Sequence, residues 1–519
     1  MLLQNLSKLI LVEQMISKIK FIAIVFFIFT LCGCHKKTPN IHIQELINKG
    51  TYSYQNSTYP KDAKEVDEPM ELKVTGHVPE WLKGKLFRNG PGKFSVGDKR
   101  LTHWFDGFAF VSSFEFKKNK IYYQAAFLKS DQLLESIELN DLKLSGFGQN
   151  LGESPAKHIS RDGQKVKTAN ASINIERVGK HLIAFGKTPL PIEFEPSTLK
   201  TIRIFDYNDN LKKAKIWESA HMKRDPADGA LYNFYIDYGR KSAYVIYKIE
   251  DKTTSRKLLA RHEVSEPSYM HDFSITENYV ILTAYTLVVD PIDLLNPKYS
   301  FIGAHRWEPD RRTTVYIFDK KTGELVSALD TQAMFAFHHI NAFEGKDGLI
   351  NLYLSASDNG DVVVKLGEAK TKYANVQLQK MVIDLNKSSI DIIRLSKKSY
   401  EMPSIKGTLV GRENHYFYAV WYNPPGNKKG FGLVKYDVKT NKTEHWLHEG
   451  LFPGEPLFVS NPAAKNEDDG VILSVVYDKS NKESFLVIID AHSMKELARA
   501  EMPQSLPIGL HGRFIKSES

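Results

Sequence analysis

The chain has 519 residues, 42% of them hydrophobic and 25% charged, with 29 Phe, 24 Tyr and a formal net charge of +9. That composition excludes a disordered chain and leans towards strand formers. The lysines are scattered among Asp and Glu rather than gathered in a patch, which points away from a nucleic-acid partner and towards a solvated surface with mild attraction to anionic lipid.

The first 34 residues differ from the rest. Lys18 and Lys20 precede an apolar run, FIAIVFFIFTL, that ends in LCGC at Leu31–Cys34. The run is short for a membrane span, and its small-residue exit into polar HKK and TPN reads as a bacterial lipoprotein signal with Cys34 as the lipidated residue. Residues 35–68, polar and rich in Lys and Asp, are then expected to form a tether, with one folded domain over 69–519. The only cysteines, Cys32 and Cys34, fall in the leader. The folded part therefore holds no disulfide, iron–sulfur cluster, zinc–thiolate site or cysteine nucleophile, and any metal must be held by His, Asp, Glu or backbone oxygen.

From Pro69 onward short apolar runs alternate with Gly, Pro, Asn and Asp, as in KLFRNGPGKF, HLIAFGKTPLP, KSAYVIYKIEDK, TTVYIFDKKTGELVS and FGLVKYDVKTNKTEHW. Several follow one format, a strand, a polar DKKTG or DVKTN turn, and another strand, which predicts hairpins. Hairpins over some 450 residues with few helical stretches suit radially repeated four-stranded sheets, a β-propeller, although no strict repeat period can be counted. In such a disc the loops at one end converge on the axis, where a site can be assembled from distant residues.

Of the 17 histidines, His35, His42 and His77 lie near the leader or the N-terminal stretch, and His305, His415, His445 and His448 have polar neighbours that read as loops or strand edges. Four others stand in AHMKRDP (His221), SYMHDFSIT (His271), FHHINAFE (His338) and GLHGRF (His511). No HxxH or HExxH spacing links them, so local spacing alone makes no metal site. HWFDG at His103–Gly107 and RNGPG at Arg88–Gly92 read as turn and packing segments, with Arg88 free to cap carbonyls.

These segments, together with GKLFRNGPGKF, HWFDGFAFVSSFEF, PIEFEPSTLKT, SYEMP, GEPLFVSNP and LPIGLHGRF, resemble the carotenoid cleavage oxygenase family, which also includes the retinal pigment epithelium isomerase and the stilbene-cleaving oxygenases. The resemblance runs from Glu71 to Phe514. It implies an all-β, seven-bladed propeller whose loops cap a metal-bearing face, with a non-haem Fe(II) on the axis held by His221, His271, His338 and His511. Four neutral imidazoles without a carboxylate suit Fe(II) and leave positions open for dioxygen.

Three glutamates orient ligand histidines in this family, because a metal-bound imidazole needs an acceptor for its other ring nitrogen. Glu401 and Glu455 match the second and third. Lys187 stands where the first belongs, and an ammonium cannot accept an imidazole N–H. The resemblance makes His271 the ligand affected. Either water or a nearby carboxylate such as Glu193 or Glu195 substitutes, or Lys187 faces away, or metal affinity is weakened. His339 is expected on the opposite strand face from His338.

The resemblance implies an Fe(II)-dependent dioxygenase that cleaves a carbon–carbon double bond of a carotenoid or apocarotenoid with O2. The alternatives are a non-catalytic or weakened carotenoid- or retinoid-binding lipoprotein, stilbene-type alkene cleavage, or polyene isomerisation. Lys129 and Gln132 in YYQAAFLKSDQL do not place a lysine where the stilbene cleavers carry one. An exported, membrane-anchored lipoprotein on the periplasmic side is expected, with apolar loops in 133–151 and 285–301 touching the membrane surface.

Overall fold

A single turn recurs through the fold. In the DKKTG turn the Asp319 carboxylate accepts the backbone N–H groups of Lys321 and Thr322, both at 2.8 Å. Asp384, Asp437 and Asp490 do the same for the residues two or three positions on. Each turn closes with a left-handed residue, Gly323, Ser388, Asn441 or Met494. A Cβ at Gly323 would lie 1.9 Å from the Leu259 carbonyl oxygen, so only glycine fits there. An aspartate side chain that holds the backbone in this way fixes a hairpin locally.

These turns join the third and fourth strands of successive antiparallel sheets. The computed structural model describes residues 40–48, 62–142, 145–155, 170–187, 190–209, 211, 217–364, 376–422 and 431–517. Among them seven antiparallel sheets have four or more strands, which is the seven-bladed β-propeller expected from the sequence. Five sheets are local. Their strands start at Asn174–Val178, Trp217–Glu218, Ser274–Ile275, Phe335–Glu344 and Ser399–Ser404, and each runs outward in chain order.

The other two sheets draw on both ends of the chain. Gly512–Lys516 pairs with Gly84–Lys93, and Val74–Gly76 pairs with Glu496–Glu501. Locking first strands to last removes free sheet edges at the seam. RNGPG therefore lies inside the strand Gly84–Lys93 rather than in a turn. Arg88 does cap a carbonyl, that of Leu510, at 2.6 Å.

Burial falls outward along a blade. Phe335–Glu344 is buried at nine of its ten positions, whereas Ser389–Ser396, last in the same sheet, is partly or fully exposed throughout. The inner strand is thus buried on both faces, whereas Thr313–Asp319, third in its sheet, begins to alternate.

The expected tether over 35–68 is corrected at both its middle and its end. Ile41–His42 pairs with Arg306–Trp307, and Ile43 at the start of the helix Ile43–Asn48 is fully buried. Gln44 Oε1 accepts from the backbone N–H of Ser300 at 2.9 Å. One isoleucine in the core and one satisfied glutamine anchor this segment, and the compact unit runs from Asn40 to Ser519. Val66–Glu71 is the outermost strand of its sheet. The leader and Cys34 lie outside the described residues.

Candidate metal centre

His221, His271, His338 and His511 come from four different sheets, and their nearest ring nitrogens all lie within 4.8 Å of one another. All four are buried. His221 sits between the short strands Trp217–Glu218 and Lys223–Arg224, while His271 precedes Ser274–Ile275 and His511 precedes Gly512–Lys516. Ser219 ties two of these segments, donating from Oγ to the His271 carbonyl at 2.8 Å and accepting the His221 N–H at 3.1 Å. The His511 N–H donates to the Ile173 carbonyl at 3.0 Å.

His338 lies in a strand whose register against Ile350–Ser357 shifts twice, between Ala336 and His339 and between His339 and Asn341. Bulges of this kind re-aim side chains next to functional sites. His338 turns to the cluster. His339 turns away and is buried, with Ser274 Oγ at 2.9 Å from Nδ1 and Tyr285 Oη at 2.9 Å from Nε2. Its neighbours hold both ring nitrogens, and burial keeps its pKa down at about 4, against the pull of Asp272. His305, expected in a polar loop, is instead fully buried, and burial lowers its pKa to about 3.

The ring nitrogens pointing away from the cluster are fixed by acceptors. His338 Nδ1 lies 2.6 Å from Glu401 Oε2, and His511 Nδ1 lies 2.7 Å from Glu455 Oε1. The carboxylates are themselves held. Glu401 Oε2 accepts the Met402 N–H at 3.1 Å, with Met402 in a left-handed conformation at φ 55°. Glu455 pairs with the buried Arg88 and accepts the Gly512 N–H at 3.1 Å. Burial alone would raise the Glu455 pKa, but His511 and Arg88 hold it below its ordinary value.

With Nδ1–H donated outward, His338 and His511 present bare Nε2 lone pairs to each other at 3.2 Å. His221 Nε2 is buried without a partner. Burial first, and then the neighbouring imidazoles, push His221 far below the usual histidine range; burial and then Lys187 do the same to His271. Converging neutral imidazole lone pairs repel unless a cation lies between them, and two nitrogen ligands at about 2.1 Å and a right angle from a metal sit roughly 3 Å apart. The donor set fits a divalent transition metal.

Lys187 is buried, and its charge bears on both His271 and His221. Its Nζ lies 6.0 Å from the Tyr269 ring centre, and burial, opposed by Asp272, lowers its pKa to about 7. Neither expected carboxylate serves His271. Glu193 pairs with His181 and Arg203, and Glu195 caps Ser197. His271 Nδ1 instead lies 2.9 Å from the Tyr269 hydroxyl. Sequence reasoning missed this tyrosine, although a spacing of two residues puts both side chains on one side of an extended segment.

Trp104, Phe105, Phe337, Met402, Tyr422 and Leu510 form an apolar pocket against His271, His338 and His511. HWFDG is thus more than packing, since Trp104 and Phe105 line the pocket. Asp106 accepts the backbone N–H groups of Phe147, Gly148 and Gln149 and thereby pins a capping loop. Phe147 and Phe301 pack tilted and edge-on against Tyr269, with ring centres 5.5 and 6.3 Å away. A second cavity of about 550 Å³, its wall mixing Glu176, Arg224, Asp272 and Arg513 with Ile275 and Ile340, reaches His221, His338 and His511.

Residues 60–516 match the family described as retinal pigment epithelial membrane protein. A beta,beta-carotene 15,15'-dioxygenase of Mus musculus is 30% identical over 88% of this chain and 91% of its own length. A mitochondrial carotenoid-cleaving dioxygenase of Macaca fascicularis is 29% identical over 87% of this chain and 93% of its own. Crystal structures of a Synechocystis apocarotenoid oxygenase superpose with a TM-score of 0.78 at 26% identity, covering 90% of this chain and 100% of that one.

Proposed function

This chain belongs to the family of the retinal pigment epithelial membrane protein and the carotenoid oxygenases, and on that premise we propose that it uses Fe(II) held by His221, His271, His338 and His511. It is an oxygenase that cleaves a carbon–carbon double bond of a carotenoid or apocarotenoid with O2. The observation that carries the iron reading is the convergence of four buried imidazoles, two of them facing each other as lone pairs at 3.2 Å with their outer protons held by Glu401 and Glu455.

The chain's own residues divide the work. Glu401 and Glu455 hold protons on Nδ1 and so keep Nε2 of His338 and His511 available as a donor. Trp104, Phe105, Phe337 and Met402 give an apolar wall that shields the imidazoles from water. When bound, ferrous iron would supply the activation of dioxygen that no side chain in this pocket can provide.

The location is part of the proposal. The LCGC box after an apolar run supports lipidation at Cys34 and export to the periplasmic side of a membrane. Exposed Leu134, Ile137, Leu139, Ile292 and Leu295 support a second contact with lipid through the capping segments. Two of those segments are joined, Asn150 donating to the Pro297 carbonyl at 3.0 Å. No described helix is long and apolar enough to cross a membrane.

The test is anaerobic Fe(II) loading followed by admission of O2 over a panel of carotenoids and apocarotenoids. One iron per chain with O2-dependent loss of polyene absorbance and formation of carbonyl fragments is expected. Stoichiometric iron with no bleaching of any polyene would contradict the proposal.

A further inference from the structure

The three imidazoles with an identified acceptor are not treated alike. His338 and His511 each give their Nδ1–H to a carboxylate, at 2.6 and 2.7 Å. His271 gives its own to a phenol at 2.9 Å. A phenol with an ordinary pKa near 10 accepts as a neutral group, whereas a carboxylate accepts as an anion and forms the stronger bond.

Tyr269 is built to hold that position. Its backbone N–H donates to the Leu287 carbonyl at 2.8 Å. Its ring is enclosed by Phe147, Phe301, Phe335 and His305, with centre distances between 5.5 and 6.3 Å. A ring clamped on several sides has little freedom, so the hydroxyl is aimed by packing. Lys187 is buried with Nζ 6.0 Å from this ring, and its charge bears on His271.

We propose that Tyr269 is the positioning residue for His271, a neutral acceptor that replaces a carboxylate at the place Lys187 has taken. The metal then sits against two anionic acceptors rather than three, with a buried amine nearby. Of the three imidazoles with an identified acceptor His271 is the least basic donor, and the reduced negative charge favours the divalent over the trivalent metal. The inference rests on the four-histidine metal reading given above.

The test uses Co(II) as the probe with metal-stripped full-length protein, which avoids oxidation of the metal during titration. In Tyr269→Phe, which removes one oxygen, Co(II) affinity is expected to fall about 10–100-fold and the visible Co(II) absorption to change, with far-UV circular dichroism unaltered. Tyr269→Phe combined with Lys187→Glu is expected to regain about tenfold or more of that loss, because a carboxylate returns behind His271. Tyr285→Phe, whose hydroxyl serves His339, is expected to leave both readouts unchanged. Co(II) affinity and spectrum in Tyr269→Phe that match wild type would overturn the assignment of Tyr269. Loss without rescue by glutamate would overturn the role given to Lys187. A wild-type chain that binds no Co(II) would overturn the metal reading itself.

Discussion

Nε2 of His338 and Nε2 of His511 face each other at 3.2 Å although 173 residues separate them in sequence. Each has its outward nitrogen engaged by a glutamate, so neither can satisfy the other with a proton. A cation between them resolves the repulsion. His338→Ala is therefore expected to abolish stoichiometric metal binding. His339→Ala is expected to keep it while destabilising the fold by about 1–3 kcal/mol for each buried hydroxyl it strands, those of Ser274 and Tyr285. Metal content after dialysis and a denaturant midpoint distinguish the two.

Glu401 and Glu455 perform the same service but are buried differently. Glu401→Gln is expected to weaken Fe(II) affinity about tenfold with little change in stability, because its neighbours are neutral. Glu455→Gln additionally leaves the Arg88 guanidinium buried without its anion. A further stability loss of about 3–5 kcal/mol is expected, read from urea unfolding of the metal-free protein.

Lys187 gives a pH-dependent signature. Its folded pKa is about 7 against an ordinary 10.5, so between those values the unfolded chain holds a proton that the folded chain lacks. Stability consequently rises as pH rises through that window. Lys187→Met is expected to stabilise the metal-free protein at pH 7 by about 2–4 kcal/mol, and the gain is expected to vanish towards pH 10.5. Paired unfolding curves at the two pH values check it, and an equal gain at both would contradict the buried-amine account.

On the acid side the buried neutral imidazoles dominate. Above their ordinary pKa of 6.5, His305 and His339 are neutral in both states and contribute nothing to pH dependence. As pH falls below 6.5 the unfolded chain takes up protons that the folded chain refuses, until about 4 for His339 and about 3 for His305. Stability is thus expected to fall from pH 6.5 downward by up to about 1.4 kcal/mol per pH unit for each histidine. His305→Phe should flatten the slope in thermal melts between pH 6.5 and 4.

The blades were legible because their hairpins are written locally. Asp319 and Asp437 head turns whose hydrogen bonds span three residues, and the polar turn between two apolar runs shows in the sequence. The docked segment at Ile41–Asn48 was not legible, since its anchorage depends on Ser300 and Arg306, more than 250 residues away. His305 was misread for a related reason: its arginine neighbour pairs with Glu266 and Glu308, while its own ring meets Phe301 and Tyr269.

The candidate site shows the same division. No spacing rule joins His221, His271, His338 and His511, and only the ordered set of motifs around them singled them out. Tyr269 was hidden because tyrosine two residues from a histidine is ordinary strand composition, and only the Phe147, Phe301 and Phe335 clamp gives its hydroxyl a direction. Trp104 and Phe105 were read as packing because a pocket wall and a core use the same residue types.

The central claim is that these four imidazoles, and no carboxylate, hold the metal. X-ray absorption at the iron edge of the anaerobically Fe(II)-loaded protein tests it most directly. The account predicts four imidazole ligands by their outer-ring scattering. A directly bound carboxylate from Glu401 or Glu455, or fewer than four imidazoles in the wild-type chain, would contradict it.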